Sequence, residues 1–274
     1  MSLFECKIFS KEIGGNVSVN VILPLPESSD LFREIPNDYP TRGQKYQTLY
    51  LLHGGYGDYS DWQRYTRVET YAKDHMLAVV MPSADNSMYT NIPYAGNYYN
   101  YYTQELPHAM QSIFPLSAKQ EDNFIAGLSM GGYGAFRAAF QNPEKYAAAV
   151  SLSGGLAPIA GMKTKNQDHV KNIAKHVYGD EMQYYDAEQC DIVSMAKTLS
   201  KSGRKIPLLY QACGTEDFIY EGNIKVRDEL LSLGLPLTWE EGPGIHHWDF
   251  WDTYLIKALD WLPLANSIVE ELEV

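Results

Sequence analysis

The sequence predicts an α/β fold built on a mostly parallel, doubly wound sheet with antiparallel strands at its N-terminal side. Two observations lead to this expectation. Apolar and polar residues alternate over Asn16–Leu23 with the period of two that is typical of a half-buried antiparallel strand. From Leu49 onward, short continuous apolar runs alternate with amphipathic stretches, the pattern of a parallel sheet that helices cover on both faces.

The predicted elements follow in order along the chain. A weaker strand over Phe4–Phe9 precedes the alternating one. The apolar runs are Thr48–Leu52, Leu77–Met81, Asn123–Ala126, Ala147–Leu152 and Pro207–Ala212, with Leu237–Glu240 as a short edge strand. The helical segments between them are Trp62–His75, Tyr99–Ile113, Gly131–Gln141, Asp191–Ser200, Gly222–Leu233 and Trp251–Leu262. Ligands of such sheets bind beyond the carboxyl ends of the strands, so functional residues should follow these runs.

A single domain over residues 1–274 is expected, because no linker-like stretch, repeat or low-complexity tract interrupts the chain. One connection is too long for a simple crossover: Gly154–Lys205 covers about 50 residues, against a usual loop of about 2 to 6. We expect an insertion at about 155–205 to fold as helices. It could form a small lid over the site or a structural excursion away from it.

Composition and charge exclude several classes of function. The formal net charge of −12 at pH 7 would repel a phosphate backbone, so no nucleic-acid partner is expected. No apolar run approaches the ~20 residues that span a membrane, and the N-terminus lacks a signal-peptide core, so a cytoplasmic location without membrane association is expected. Three widely spaced cysteines favour reduced thiols, and neither a metal nor an organic cofactor is expected.

The segment Gly127-Leu128-Ser129-Met130-Gly131 has the form of a nucleophile elbow, a strained strand-to-helix turn that exposes a serine hydroxyl. The glycines are needed because a side chain two positions before or after the serine would collide with neighbouring backbone. A predicted strand precedes the motif and an Ala-rich helix follows it. Ser129 is therefore predicted to be a catalytic nucleophile.

A serine nucleophile needs a base, and the base needs an orienting acid. Of the seven histidines, His246 and His247 come late enough in the chain to be the base. Glu216 and Asp217 follow the strand Pro207–Ala212, and either could be the acid. Since adjacent side chains leaving a strand point to opposite sides, one should face the histidine and the other should be a surface carboxylate.

Acyl transfer also requires two backbone N–H groups that face the developing oxyanion, each worth on the order of 3 to 4 kcal/mol. Met130, the residue after the nucleophile, should supply one of them. The Gly-rich turn Leu51–Gly57 follows an early strand, and we expect the second N–H from Gly55.

Tyrosine side chains near this site could bind substrate. Tyr94 and Tyr98 lie between the strand that ends at Met81 and the next helix, and their rings could stack on an aromatic acyl group or hydrogen-bond to a phenol or sugar. Trp248 is a third candidate substrate contact. Core packing explains the tyrosines equally well.

Together these motifs resemble the esterase D-like branch of the α/β-hydrolases, and within it the bacterial tributyrin esterase and feruloyl (cinnamoyl) esterase group. The matching stretches are Leu51–Gly55, Gln104–Pro107, Gly127–Ala135, Gly214–Phe218 and Gly244–Trp251. The resemblance implies an α/β-hydrolase fold and association into dimers or larger assemblies.

The resemblance also bears on the open choices. The family pattern Gly-x-His-x-Trp-x-x-Trp runs from Gly244 to Trp251 and favours His246 over His247. Asp217 is favoured over Glu216, because the second acid of that loop is the family's triad member. Leu128 is a departure from S-formylglutathione hydrolases, which usually have histidine before the nucleophile.

The expected function is a serine carboxylesterase that hydrolyses short-chain acyl or phenolic esters, of the feruloyl or acetyl-sugar type, through an acyl-enzyme intermediate. A thioesterase like S-formylglutathione hydrolase, or an acyltransferase, would use the same residues. A ligand-binding protein that kept the fold without turnover is an alternative of another class. The expected partner in each case is a small molecule.

Overall fold

The computed structural model describes residues 1–28, 30, 39–157, 167–265 and 269–270. The main sheet has eight strands: β1 Ser2–Ser10, β2 Gly15–Leu23, β4 Thr48–Leu52, β5 Ala78–Pro82, β8 Asn123–Leu128, β9 Ala148–Leu152, β10 Leu208–Gly214 and β11 Leu237–Gly242. Two short pairs stand apart from it: β3 Gln44–Lys45 with β12 Val269–Glu270, and β6 Asn91–Ile92 with β7 Gly96–Asn97.

The spatial order of the main sheet is β1-β2-β5-β4-β8-β9-β10-β11. The first three strands pair antiparallel, and every pairing from β5 to β11 is parallel. The predicted mostly parallel sheet with antiparallel N-terminal strands is therefore confirmed. The carboxyl ends of the parallel strands meet at one rim of the sheet, where ligand sites of such folds occur.

Helices cover both faces of the sheet. They are α1 Asp61–Tyr65, α2 Val68–Asp74, α3 Tyr98–Asn100, α4 Leu106–Ile113, α5 Met130–Gln141, α6 Gln167–Tyr178, α7 Ala187–Cys190, α8 Ile192–Lys201, α9 Tyr220–Ser232 and α10 Trp248–Trp261. A π-helical turn, Tyr101–Glu105, joins α3 to α4. Alternate residues of each central strand enter different cores: Tyr50 and Leu52 pack with α4 and α5, whereas Leu49 and Leu51 pack with α1, α2 and α10.

The predicted single helix Trp62–His75 is wrong, because the structure breaks it at Thr66 into α1 and α2. The Thr66 hydroxyl donates to the carbonyl of Trp62 and accepts the N–H of Val68 at 3.1 Å. A side chain thus replaces a backbone hydrogen bond of a continuous helix, a competition that the apolar periodicity does not reveal.

The predicted insertion at about 155–205 contains α6, α7 and α8 in its described part, and residues 158–166 lie outside the described residues. Helix α8 packs against α5, and the Tyr133 hydroxyl on α5 donates to the carbonyl of Cys190 at 2.9 Å. Helices α7 and α8 of the insertion therefore pack on α5. A lid over the site stays a prediction.

The Gln104–Pro107 stretch has a structural explanation. The Glu105 carboxylate accepts the Lys11 N–H at 2.7 Å and the Ser10 hydroxyl, and so holds the turn between β1 and β2. None of the helices in the described part of the chain has the length and hydropathy needed to cross a bilayer.

Candidate active site

Ser129 forms the turn between β8 and α5 with φ 51° and ψ −114°, a backbone conformation that residues other than glycine rarely adopt. Hydrogen bonds hold the turn: the Ser129 N–H donates to Leu152 at 2.9 Å, and the Ser129 carbonyl accepts the Gly155 N–H at 3.0 Å. The strained turn is thus fixed by backbone on both sides, as a nucleophile elbow requires.

The two glycines of the elbow are enforced by close approach. A Cβ on Gly127 would lie 2.4 Å from the carbonyl carbon of Gly131, and one on Gly131 would lie 2.4 Å from the carbonyl oxygen of Leu52. The first turn of α5 therefore packs directly against the end of β4. This contact brings the nucleophile next to the turn that follows β4.

Ser129, His246 and Asp217 lie in one hydrogen-bonded line. His246 Nε2 is 2.9 Å from Ser129 Oγ, and His246 Nδ1 is 2.8 Å from Asp217 Oδ2 and 3.1 Å from Oδ1. The Asp217 side chain is fully buried, and that of His246 is 18% exposed. Because a carboxylate only accepts, the proton on Nδ1 faces Asp217, which leaves Nε2 free to accept the serine proton.

The neighbouring candidates lie elsewhere. His247 is exposed, and its Nδ1 is 3.2 Å from Asp249 Oδ2, a separate surface pair. Glu216 is exposed, as expected of the acid that does not face the histidine, but its Oε2 accepts the N–H of Gly244 at 2.6 Å. That hydrogen bond holds the pKa of the Glu216 carboxyl below its usual value.

The turn after β4 lies beside the nucleophile, since a Cβ on Gly54 would be 3.6 Å from Ser129 Cβ. The Ala84 N–H donates to His53 Nε2 at 2.9 Å, so His53 Nδ1 carries the proton and donates to the Gly54 carbonyl at 2.7 Å. In a trans peptide the N–H points opposite to the carbonyl, so the Gly55 N–H points away from the His53 ring. Met130 is the first residue of α5, so its N–H has no partner within the helix.

His53 lies within the Leu51–Gly57 turn, and no role was predicted for it from the sequence. It is 1% exposed, and burial lowers the pKa of its imidazole, so the ring stays neutral in the core. The Tyr89 hydroxyl donates to the His53 carbonyl at 3.1 Å. A histidine that directly follows a buried strand and precedes two glycines was the available signal for this support of the turn.

Two aromatic rings contact the His246 imidazole, and these contacts were not predicted from the sequence. Trp251 contacts the imidazole edge to face at 4.9 Å, and Phe218 lies at 4.7 Å and is 61% exposed. Trp248 stacks on Tyr65 at 4.9 Å. The signals were present: Phe218 follows the candidate acid directly, and Trp248 and Trp251 share one face of α10 at a spacing of three.

The predicted substrate contacts occupy different environments. Tyr94 is fully exposed in the turn between β6 and β7, Tyr98 is 7% exposed, and Trp248 is half-buried. The Tyr98 hydroxyl donates to Asp85 Oδ2 at 2.5 Å, so this hydroxyl is bonded to an exposed carboxylate. Contact of these three residues with substrate stays a prediction.

A cavity of about 210 Å³ lies away from the Ser129 site. Its lining includes Tyr50, Asn123, Lys145 and Tyr146. Asn123 begins β8 whereas Ser129 follows its end, so about 20 Å of strand separates them. The cavity therefore lies at the opposite end of the sheet from the candidate active site. No group of three or more His, Cys, Asp or Glu side chains in the described ranges could hold a metal ion.

Comparison with known proteins shows similarity to esterases and related hydrolases. The esterase family model, described as "Putative esterase", matches residues 10–262. An acetyl esterase from Caldicellulosiruptor saccharolyticus is 31% identical over 272 residues, which are 97% of this chain and 100% of that protein. The S-formylglutathione hydrolase of Staphylococcus aureus is 34% identical with a TM-score of 0.79, over 95% of this chain and 98% of that one. A ferulic acid esterase at 20% identity shares the fold, with a TM-score of 0.75 over 95% and 96% of the two chains.

Proposed function

Because the chain belongs to the esterase family and is a carboxylic ester hydrolase, we propose that it cleaves short-chain acyl esters through an acyl-enzyme formed on Ser129. The observation that carries this proposal is the 2.9 Å distance between His246 Nε2 and Ser129 Oγ, with Asp217 at 2.8 Å on the other ring nitrogen. Nucleophile, base and orienting acid are thus within hydrogen-bond reach of one another.

The reaction follows from this alignment in two half-reactions. Ser129 Oγ attacks the ester carbonyl while its proton moves to His246 Nε2, and the same proton then passes to the departing alcohol. Water next attacks the acyl-enzyme while one of its protons moves to His246 Nε2. That proton then passes to Ser129 Oγ as the acid leaves, which restores the serine hydroxyl. The N–H groups of Gly55 and Met130 hold the oxyanion in both steps.

Two features support a small acyl group with an apolar or aromatic alcohol. The relative over almost the whole chain is an acetyl esterase, which favours a short acyl group. Exposed apolar side chains flank the proposed catalytic residues: Tyr56 follows Gly55, Phe218 follows Asp217, and Ile245 precedes His246, each about 60% exposed. Such side chains would contact an aromatic alcohol portion of the ester and gain from burying it.

The direct test is hydrolysis of p-nitrophenyl acetate and butyrate by wild type, Ser129→Ala and His246→Ala. We expect kcat to fall by at least about 10³-fold in both variants, because each removes a member of the proton-transfer chain. His247→Ala is the matched control, since this ring faces Asp249 and not Ser129, and it should keep wild-type kcat. Equal rates for wild type and Ser129→Ala would remove the proposal.

A second candidate function is thioester hydrolysis, which the 34% identity with an S-formylglutathione hydrolase favours. Comparing kcat/KM for S-formylglutathione, ethyl ferulate and acetylated xylan separates the thioester, feruloyl-ester and acetyl-sugar functions. A fluorophosphonate probe that fails to label Ser129 in a folded protein would instead support a non-catalytic binding protein. Association into dimers is tested by light scattering against the 31.0 kDa mass of one chain.

A further inference from the structure

The loop after β10, which carries Asp217, and the loop before α10, which carries His246, are hydrogen-bonded to each other. The Thr215 N–H donates to the Gly242 carbonyl at 2.9 Å, and the Glu216 N–H donates to the Gly244 carbonyl at 3.1 Å. In return the Gly244 N–H donates to Glu216 Oε2 at 2.6 Å. Glu216 thus bonds both the N–H and the carbonyl of one residue in the opposite loop.

The two loops also meet without intervening side chains. A Cβ added to Gly214 would lie 2.2 Å from the Gly244 carbonyl oxygen, and one added to Gly244 would lie 2.7 Å from a ring carbon of Phe250. Gly244 is therefore confined between Gly214 and α10. The Glu216 carboxylate is the side-chain group that holds it from the outer, solvent-exposed side.

Gly244 precedes His246 by two residues, so a shift of Gly244 moves the imidazole. Misplacement of a catalytic group by about 1 Å can cost about 10²-fold in rate. The imidazole must keep Nδ1 at 2.8 Å from Asp217 Oδ2 and Nε2 at 2.9 Å from Ser129 Oγ at the same time. These two distances leave the ring little room for movement.

We propose that Glu216 is a positioning residue of this active site: its carboxylate clamps Gly244 and so keeps His246 in register with Asp217. The inference rests on the proposed function of Ser129, His246 and Asp217. It gives the first acid of the Glu-Asp pair a task that differs from that of the second. A bond from a backbone N–H to an ionised carboxylate is stronger than one to a neutral acceptor, which suits a clamp exposed to water.

The test compares three substitutions by kinetics on p-nitrophenyl acetate. Glu216→Ala removes the acceptor, and Glu216→Asp keeps the charge but is one methylene too short to reach Gly244. Both should lower kcat by about 10- to 100-fold with KM within about twofold, because alignment of the base and not substrate binding is lost. Glu216→Gln keeps an acceptor oxygen at the same reach and should restore kcat to within about threefold of wild type.

Glu241→Ala is the matched control. This exposed carboxylate lies one residue before Gly242, but it bonds the side chains of Tyr220 and Trp239 and no backbone group of the histidine loop. It should leave kcat unchanged. Urea unfolding of all variants measures their stability. If the role of Glu216 were merely structural, kcat would fall only in variants whose free energy of unfolding also falls.

The rate of fluorophosphonate labelling separates this inference from the function beneath it. A wild-type protein that does not label would refute the proposed serine chemistry itself. A wild type that labels, together with Glu216→Ala and Glu216→Asp variants that label and turn over at the wild-type rate, would overturn the clamp alone. A Glu216→Gln variant no more active than Glu216→Ala, or a kcat loss fully matched by Glu241→Ala, would overturn it as well.

Discussion

At the scale of single residues, two neighbouring His and Asp pairs differ in burial. His246 pairs with Asp217 inside the protein, whereas His247 pairs with Asp249 on the surface, where the two side chains are 56% and 96% exposed. A buried carboxylate can orient an imidazole and stabilise its charged form, whereas water screens an exposed one. The chemistry proposed for the site therefore depends on one pair and not on the other.

Asp217→Asn is expected to lower kcat on p-nitrophenyl acetate by about 10³- to 10⁴-fold, because an amide can donate to Nδ1 and so stabilise the wrong tautomer of His246. Asp249→Asn is the matched control at the surface pair and should keep kcat within about twofold. An Asp217→Asn variant with wild-type kcat would show that another group orients the imidazole.

At the scale of elements, the start of α5, the end of β4 and the segment 84–90 form one support for the site. Tyr89 bonds the His53 carbonyl, and the buried Arg137 of α5 donates to the Tyr89 carbonyl at 3.3 Å and to the Thr90 hydroxyl. The Arg137 guanidinium also lies 4.6 Å from the centre of the Tyr99 ring. The elbow and the Gly55 turn are thus connected through this segment as well as by direct contact.

Gly131→Ala is expected to destabilise the protein by about 1 to 3 kcal/mol and to lower kcat, because the new methyl group would lie 2.4 Å from the backbone oxygen of Leu52. Gly15→Ala is the matched control, since a Cβ at this strand position meets nothing within 4 Å. Urea unfolding and esterase kinetics on both variants test this contact. Equal stabilities would mean that α5 can move away from β4 at little cost.

At the scale of the whole molecule, the buried neutral His53 makes folding sensitive to acid. In the unfolded chain this histidine takes up a proton below about pH 6.5, whereas burial lowers its pKa in the folded state. Between those two pKa values the unfolded state binds more protons, so stability falls as the pH falls. The slope from this one group is at most about 1.4 kcal/mol per pH unit.

We therefore expect His53→Asn to have a flatter stability profile than wild type between pH 7.5 and 5, even if it is less stable at neutral pH. Urea unfolding of both proteins at several pH values measures the difference in slope. Parallel profiles would mean that His53 becomes protonated in the folded protein and that the turn tolerates the charge.

Much of this molecule is predictable from local sequence. Strand and helix periods predict the mixed sheet, because burial on one or both faces imposes the spacing of apolar residues. The strain of a strand-to-helix turn demands glycines around Ser129, so the elbow is visible in five residues. The position of His53 before two glycines marks it in the sequence, but its hydrogen-bond partners were not visible, nor was the break at Thr66, because each depends on where one side chain finds a backbone partner.

What the sequence alone determined is the fold class, the elbow and a short set of acids and histidines after the right strands. From the residues themselves, Glu216 and Asp217 stayed equal candidates, as did His246 and His247, and the family resemblance was needed to favour one of each. Only the tertiary structure decided which side chains are within 3 Å of one another. The reason is that adjacent loop residues differ in direction, and that direction is set by contacts such as Gly214 against Gly244, which lie 30 residues apart along the chain but touch across two loops.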